Sequence, residues 1–177
     1  MALNSDQQSD FVEFGRIISC DDSAIVRQLR QAATDLNAWA EANWDDPFDD
    51  WGEVESPYPT AMIKILVPYL IGFWHNMGDL ASWIVGSAKA RGIKLDSESA
   101  TRDLKAVDGV EWTSKWAFVE AAIRATSDTL EHQALRLYMV PNPYEDPVYA
   151  CVVTEPESKL LDALQSWTDG ADLSEMY

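Results

Sequence analysis

Apolar residues along this chain first recur at a helical period. Ile25, Leu29, Ala32, Leu36 and Trp39 fall at steps of four, three, four and three, one stripe of an amphipathic helix over residues 22–44. Asp22 or Ser23 is the expected N-cap. Arg27, Arg30, Asp35 and Glu41 lie off the stripe, so the outer face carries mixed charge. A shorter helix is expected over residues 6–18, with Phe11, Val12, Phe14 and Ile18 inward.

The pattern then breaks. Pro47, Pro57 and Pro59 oppose helix continuation through residues 45–59, which read as an acidic connector. From Thr60 an apolar segment, 61–90, runs to Gly92 and reads as the central, most buried helix, with a strand at 61–67 as the alternative. Pro68 lacks the N–H that a helix interior requires and must kink or divide it. A short helix is expected over 98–107. Asp108 and Glu111 then resemble a capping box before a helix carrying Trp112, Trp116, Val119 and Ile123 on one stripe.

That helix either continues to Met139, or residues 134–140 and 147–154 pair as an antiparallel hairpin. Their β-branched and aromatic content favours the hairpin. Pro156 suits the first turn of a last helix through Trp167, closed near Gly170, with a frayed tail at 171–177. The expected fold is a single compact, mainly α domain over 1–177, becoming α+β with the hairpin near 134–154.

Charge changes this picture more than composition does. The net charge is −17, with 30 acids against 13 Lys and Arg. Residues 1–58 account for −10 and residues 141–177 for −7, while the middle of the chain is close to neutral. So few cations disfavour direct binding to nucleic acid or to anionic membranes. The longest apolar run, 61–74, has 14 residues and includes Lys64, too short to span a bilayer. The first 15 residues lack the basic start and apolar core of a secretion signal, so a soluble, cytoplasmic protein with Cys20 and Cys151 reduced is expected.

Motifs for cofactor and nucleophile chemistry are missing from the sequence. The eight glycines never occur as Gly-x-Gly, and no Gly-Lys-Ser/Thr follows one, so no phosphate cradle is expected. There is no Gly-x-Ser-x-Gly elbow. Cys20 follows Ile17 and Ile18 closely and Cys151 lies between Ala150 and Val152, so both read as buried, inert thiols, and His75 reads as a core histidine. With Gly52 at the glycine of a calcium loop, Pro47 and Trp51 occupy two ligand positions and fail as donors. No catalytic residue, metal or cofactor is expected.

The remaining candidate is the segment "NWDDPFDDWGE". Trp44, Asp45, Asp46, Phe48, Asp49, Asp50, Trp51 and Glu53 combine carboxylates for a partner's Lys and Arg with aromatic anchors. The expectation is a non-enzymatic acidic protein that docks on a basic, nucleic-acid-handling protein and inhibits or neutralises it, as an inhibitor, immunity or phage counter-defence protein does. Acids clustered in connectors and ends favour ordinary docking over mimicry of regularly spaced phosphates. The alternatives are a small carboxylate-based enzyme and a structural or assembly subunit.

Overall fold

A computed structural model describes residues 2–43, 57–73, 79–108, 110, 114–142 and 148–168. Its elements are α1 (Ser5–Ile18), α2 (Ser23–Thr34), α3 (Leu36–Asn43), α4 (Pro57–Leu66), β1 (Ile71–Phe73), α5 (Leu80–Ala90), α6 (Ser97–Asp108), α7 (Lys115–Glu131), β2 (Leu135–Met139), β3 (Val148–Thr154) and α8 (Glu155–Ala163). Short 3-10 turns lie at Val67–Tyr69 and Ser166–Thr168. The fold is mainly α with a small antiparallel sheet. The chain divides into two compact units, one of residues 1–67, 141–145 and 159–177, the other of residues 68–140 and 146–158.

The first unit begins with a reciprocal cap. Asn4 Oδ1 accepts from the N–H groups of Asp6 and Gln7, both at 3.0 Å, while Gln7 Oε1 accepts from the Asn4 N–H. Phe11, Phe14 and Ile18 of α1 are fully buried, as their spacing predicts, but Val12 is half-buried. Helix α1 packs on α2, and Gly15 makes that approach possible. A Cβ at Gly15 would stand 2.4 Å from Leu29 Cδ1, inside any real contact distance. Asp22 caps α2, accepting from Ala24 N at 2.8 Å.

The predicted stripe is buried throughout, from Ile25 to Trp39, yet the helix is not continuous. Asp35 is extended (φ −148°, ψ 91°), and its carboxylate accepts from Ala38 N at 3.0 Å, starting α3. The Thr34 hydroxyl turns back to the Arg30 carbonyl at 2.8 Å. Short polar side chains that satisfy backbone groups locally favour such a break.

Two further expectations are corrected. Pro57 and Pro59 do not belong to a connector, because both lie in the first turn of α4, where an N–H has no intrahelical acceptor anyway. The 61–90 segment is not one helix and holds no strand at 61–67. Pro68 divides it, and a strand not foreseen in the sequence, β1, follows the 3-10 turn.

The 3-10 turn at Ser166–Thr168 completes the core of the first unit. Trp167 is fully buried and meets Phe11 and Phe14 edge-on, at ring-centroid distances of 5.4 and 5.2 Å. Tyr58 closes on the other side of Phe11 at 5.7 Å. The predicted last helix is therefore shorter than expected, ending at Ala163, with Trp167 in a separate turn.

In the second unit the sheet order is β1-β3-β2, antiparallel throughout, with Ile71 opposite Ala150 and Leu137 opposite Val152. The hairpin reading is thus correct, and helix α7 ends at Glu131. Ala134, at φ 56°, turns the chain into β2. Ser114 caps α7, accepting from Ala117 N at 3.2 Å, so the expected cap at Asp108 is not the one used; Asp108 is the last residue of α6. Helix α5 packs on β3 and α7 on β2. Arg91, fully buried at its side chain, donates to the Val152 carbonyl and to Glu157 Oε1 at 3.0 Å.

Replacing Trp167 with Ala is expected to cost about 3–5 kcal/mol, the range for emptying a buried aromatic site. Urea denaturation monitored by circular dichroism measures it, and a loss below about 1 kcal/mol would show that the ring carries little of the packing.

Candidate functional site

The predicted docking residues Trp44, Asp45, Asp46, Phe48, Asp49, Asp50, Trp51 and Glu53 lie outside the described residues, as do His75 and the tail 171–177. The residues that bound the 44–56 segment are described, and both belong to the first unit. On one side Asn43 ends α3, its Nδ2 donating to the Trp39 carbonyl at 2.7 Å, one turn from buried Trp39 and Ala40. On the other side Pro57 opens α4 beside buried Tyr58, whose hydroxyl accepts from Leu3 N at 3.4 Å.

Charge divides unequally between the units. The residues of the first unit include 18 acids and five bases, a net −13, and those of the second 12 acids and eight bases, a net −4. The two acidic ends of the sequence, 1–58 and most of 141–177, therefore belong to the same unit. Among its described carboxylates, Asp6, Asp21, Asp35, Glu41 and Asp162 are exposed. Several have structural partners: Asp22 and Asp35 cap helices, and Glu13 and Asp21 both pair with Arg16.

Arg16 sits between those two acids, its Nε donating to Glu13 Oε2 at 2.7 Å. That hydrogen bond holds the Glu13 carboxyl below its ordinary value, and the same pair of acids holds Arg16 above its own. A carboxyl serving as general acid needs the opposite displacement, which burial supplies. In the second unit, Arg136 is likewise raised by its hydrogen bond to Glu155, and burial raises the Tyr149 phenol.

The thiols separate. Cys151 is fully buried on β3, whereas Cys20 is exposed, which corrects the expectation of two buried thiols. Cys20 and Asp21 are consecutive left-handed residues (φ 52° and 64°) in the tight link between α1 and α2, and that turn projects Cys20 outward. Among the described residues no three His, Cys, Asp or Glu side chains converge as a metal site. His132 is exposed at the C-terminus of α7. Among the described residues no helix is long and apolar enough to cross a membrane.

Sequence reasoning missed a groove. The elbow at Asp35 leaves an open cavity of about 910 Å³ along the outer faces of α2 and α3. Val26, Ala38, Trp39 and Ala42 line it together with Arg16, Arg27 and Arg30. These are all three bases of residues 1–58, a clustering visible in the sequence at positions 16, 27 and 30. Nothing in the periodicity indicates a concave surface there, because a continuous helix has none.

No protein-family model, curated protein or solved structure matches the chain.

Two outcomes follow from these charges. The Glu13 interaction is fully present above the ordinary carboxylate range and is lost as pH falls through the lower folded value. Glu13→Gln is therefore expected to destabilise at pH 7 by at most about 1 kcal/mol, given its exposure, and its difference from the parent protein in urea denaturation is expected to shrink as pH falls through that lowered value. Repulsion within a unit of net −13 is expected to raise the thermal midpoint as NaCl increases from about 10 to 200 mM, since salt shortens the Debye length. A falling midpoint would mean that surface ion pairs dominate instead.

Proposed function

We propose that this chain is a non-enzymatic acidic binding protein that inhibits or neutralises a basic, nucleic-acid-handling target protein in the cytoplasm. The observation that carries this reading is the gathering of both acidic ends of the sequence into one unit of net −13. Such a field draws a cationic partner and repels nucleic acid itself. In this reading the acids of the first unit steer the encounter. The segment from Trp44 to Glu53 then supplies the short-range contacts, with Trp44, Phe48 and Trp51 as anchors and Asp45, Asp46, Asp49, Asp50 and Glu53 facing Lys and Arg of the target.

Docking is favoured over phosphate mimicry by the described carboxylates themselves. Asp22 and Asp35 are engaged in caps and Glu13 and Asp21 in pairing with Arg16, so they do not form a regular row along one helix face. A second reading, an assembly subunit, draws on Trp83 and Trp116 in the second unit, which are 45% and 39% exposed. Tryptophan is enriched at protein interfaces, where one end of the ring is apolar and the other meets water. Sedimentation velocity separates the two readings, since a large homo-oligomer favours assembly and a monomer favours the inhibitor.

The decisive measurement begins with affinity capture from the native host and its competitors, followed by titration of the purified partner. Replacing Asp45, Asp46, Asp49 and Asp50 together with Asn is expected to weaken the complex by about tenfold or more at 50 mM salt, with a smaller effect at 300 mM. Unchanged affinity at low salt would remove this segment from the interface. Nucleic acid that stays bound to the saturated complex would argue against a blocked nucleic-acid site on the target.

A further inference from the structure

The groove between α2 and α3 is where the scarce cations of the first unit collect. That unit has five bases, Arg16, Arg27, Arg30, Lys64 and Lys159, and three of them line this one surface. They are not equivalent. The guanidinium of Arg16 is engaged by Glu13 and Asp21. Arg27 and Arg30 stand three residues apart on one exposed face of α2, and neither forms an ion pair with another described residue.

The carboxylates along the groove are already committed. Asp21 is held by Arg16, and Asp35 accepts from Ala38 N at 3.0 Å. The lining still holds three guanidinium groups against two carboxylates, so its sign is positive in a unit whose overall sign is the opposite. Beside them the floor is apolar: Val26, Ala38, Ala42 and the edge of nearly buried Trp39. A volume of about 910 Å³ falls within the range of small-molecule sites.

We propose that this groove binds a small amphipathic anion, a single carboxylate carried on an aromatic or aliphatic body. Arg27 and Arg30 present planar forks that match a carboxylate in two-bond geometry. The body of the ligand covers the Val26–Ala38–Trp39–Ala42 floor and removes it from water. One charge is favoured over many because each further negative charge meets the repulsion of the whole unit, whereas the guanidinium contacts act only at short range. This proposal does not rest on the docking function, since it uses cations where that function uses acids.

The test is calorimetric titration of the full chain with 2-naphthoate, with neutral 2-naphthalenemethanol and inorganic phosphate as comparison probes. Saturable one-to-one binding of 2-naphthoate is expected, at least about tenfold tighter than either comparison probe. Arg27→Gln with Arg30→Gln is expected to lower the affinity by about tenfold or more while the protein stays folded, with only a small fall in the urea midpoint, both side chains being exposed. Lys64→Gln, outside the groove, is expected to bind as the parent does. Arg27→Lys with Arg30→Lys keeps the charge and loses the fork, so about threefold weaker binding is expected. Absence of saturable binding, equal affinity for the neutral alcohol or for phosphate, or unchanged affinity in the double glutamine or double lysine variant would overturn the proposal.

Discussion

The first unit depends on the burial of Trp167 between Phe11 and Phe14. A unit of net −13 resists compaction, because each acid adds to the repulsion felt by the others. That repulsion is long-ranged but weak, fading beyond roughly 8 Å at physiological ionic strength. Apolar burial is short-ranged and strong. A tryptophan side chain removes on the order of 200 Å² from water, worth about 5 kcal/mol at 25 cal/mol per Å² as an upper figure. Local contacts around Phe11, Phe14, Tyr58 and Trp167 can therefore hold together chain ends that electrostatics alone would separate.

The same balance explains where the cations are. A chain with 30 acids has little use for isolated arginines on its surface, and most of its described arginines do have carboxylate partners. Arg91 is the extreme case, its side chain fully buried and its two terminal nitrogens donating to Glu157 and the Val152 carbonyl. Breaking such a pair from one side leaves a buried charge uncompensated. Arg27 and Arg30 differ because they are exposed and three residues apart on the wall of a groove. Their placement carries chemical meaning because the rest of the unit is acidic.

The sequence made the local rules legible and left the long-range ones hidden. Periodicity located α1, the buried stripe from Ile25 to Trp39, and the hairpin, whose β-branched residues now form the centre of the sheet. It could not show the break at Asp35, since an extended residue leaves the stripe on the same side and the spacing unchanged. It misassigned Pro57 and Pro59 because proline both ends and begins helices, and only the following residues show which. Strand β1 is three residues long and exists because β3, some 75 residues later, offers its edge. The acidic segment was legible as a composition. The groove was not, because concavity arises from the angle between two helices and has no counterpart in residue order.

Trp167 also bears on how the chain is made. The hydrogen bond from Gln7 to the Ser166 carbonyl spans 159 positions, and Trp167, the aromatic partner shared by Phe11 and Phe14, is at a similar remove. At about 5–20 residues per second, synthesis separates α1 from those partners by on the order of ten seconds or more. All three strands of the second unit, and α5 to α7, emerge within that interval. Helix α1 meets α2 and Tyr58 early but waits for Trp167, the late partner of both Phe11 and Phe14, flanked by acids that keep the nascent chain hydrated. On the ribosome, the charge that opposes the finished unit protects its unfinished form.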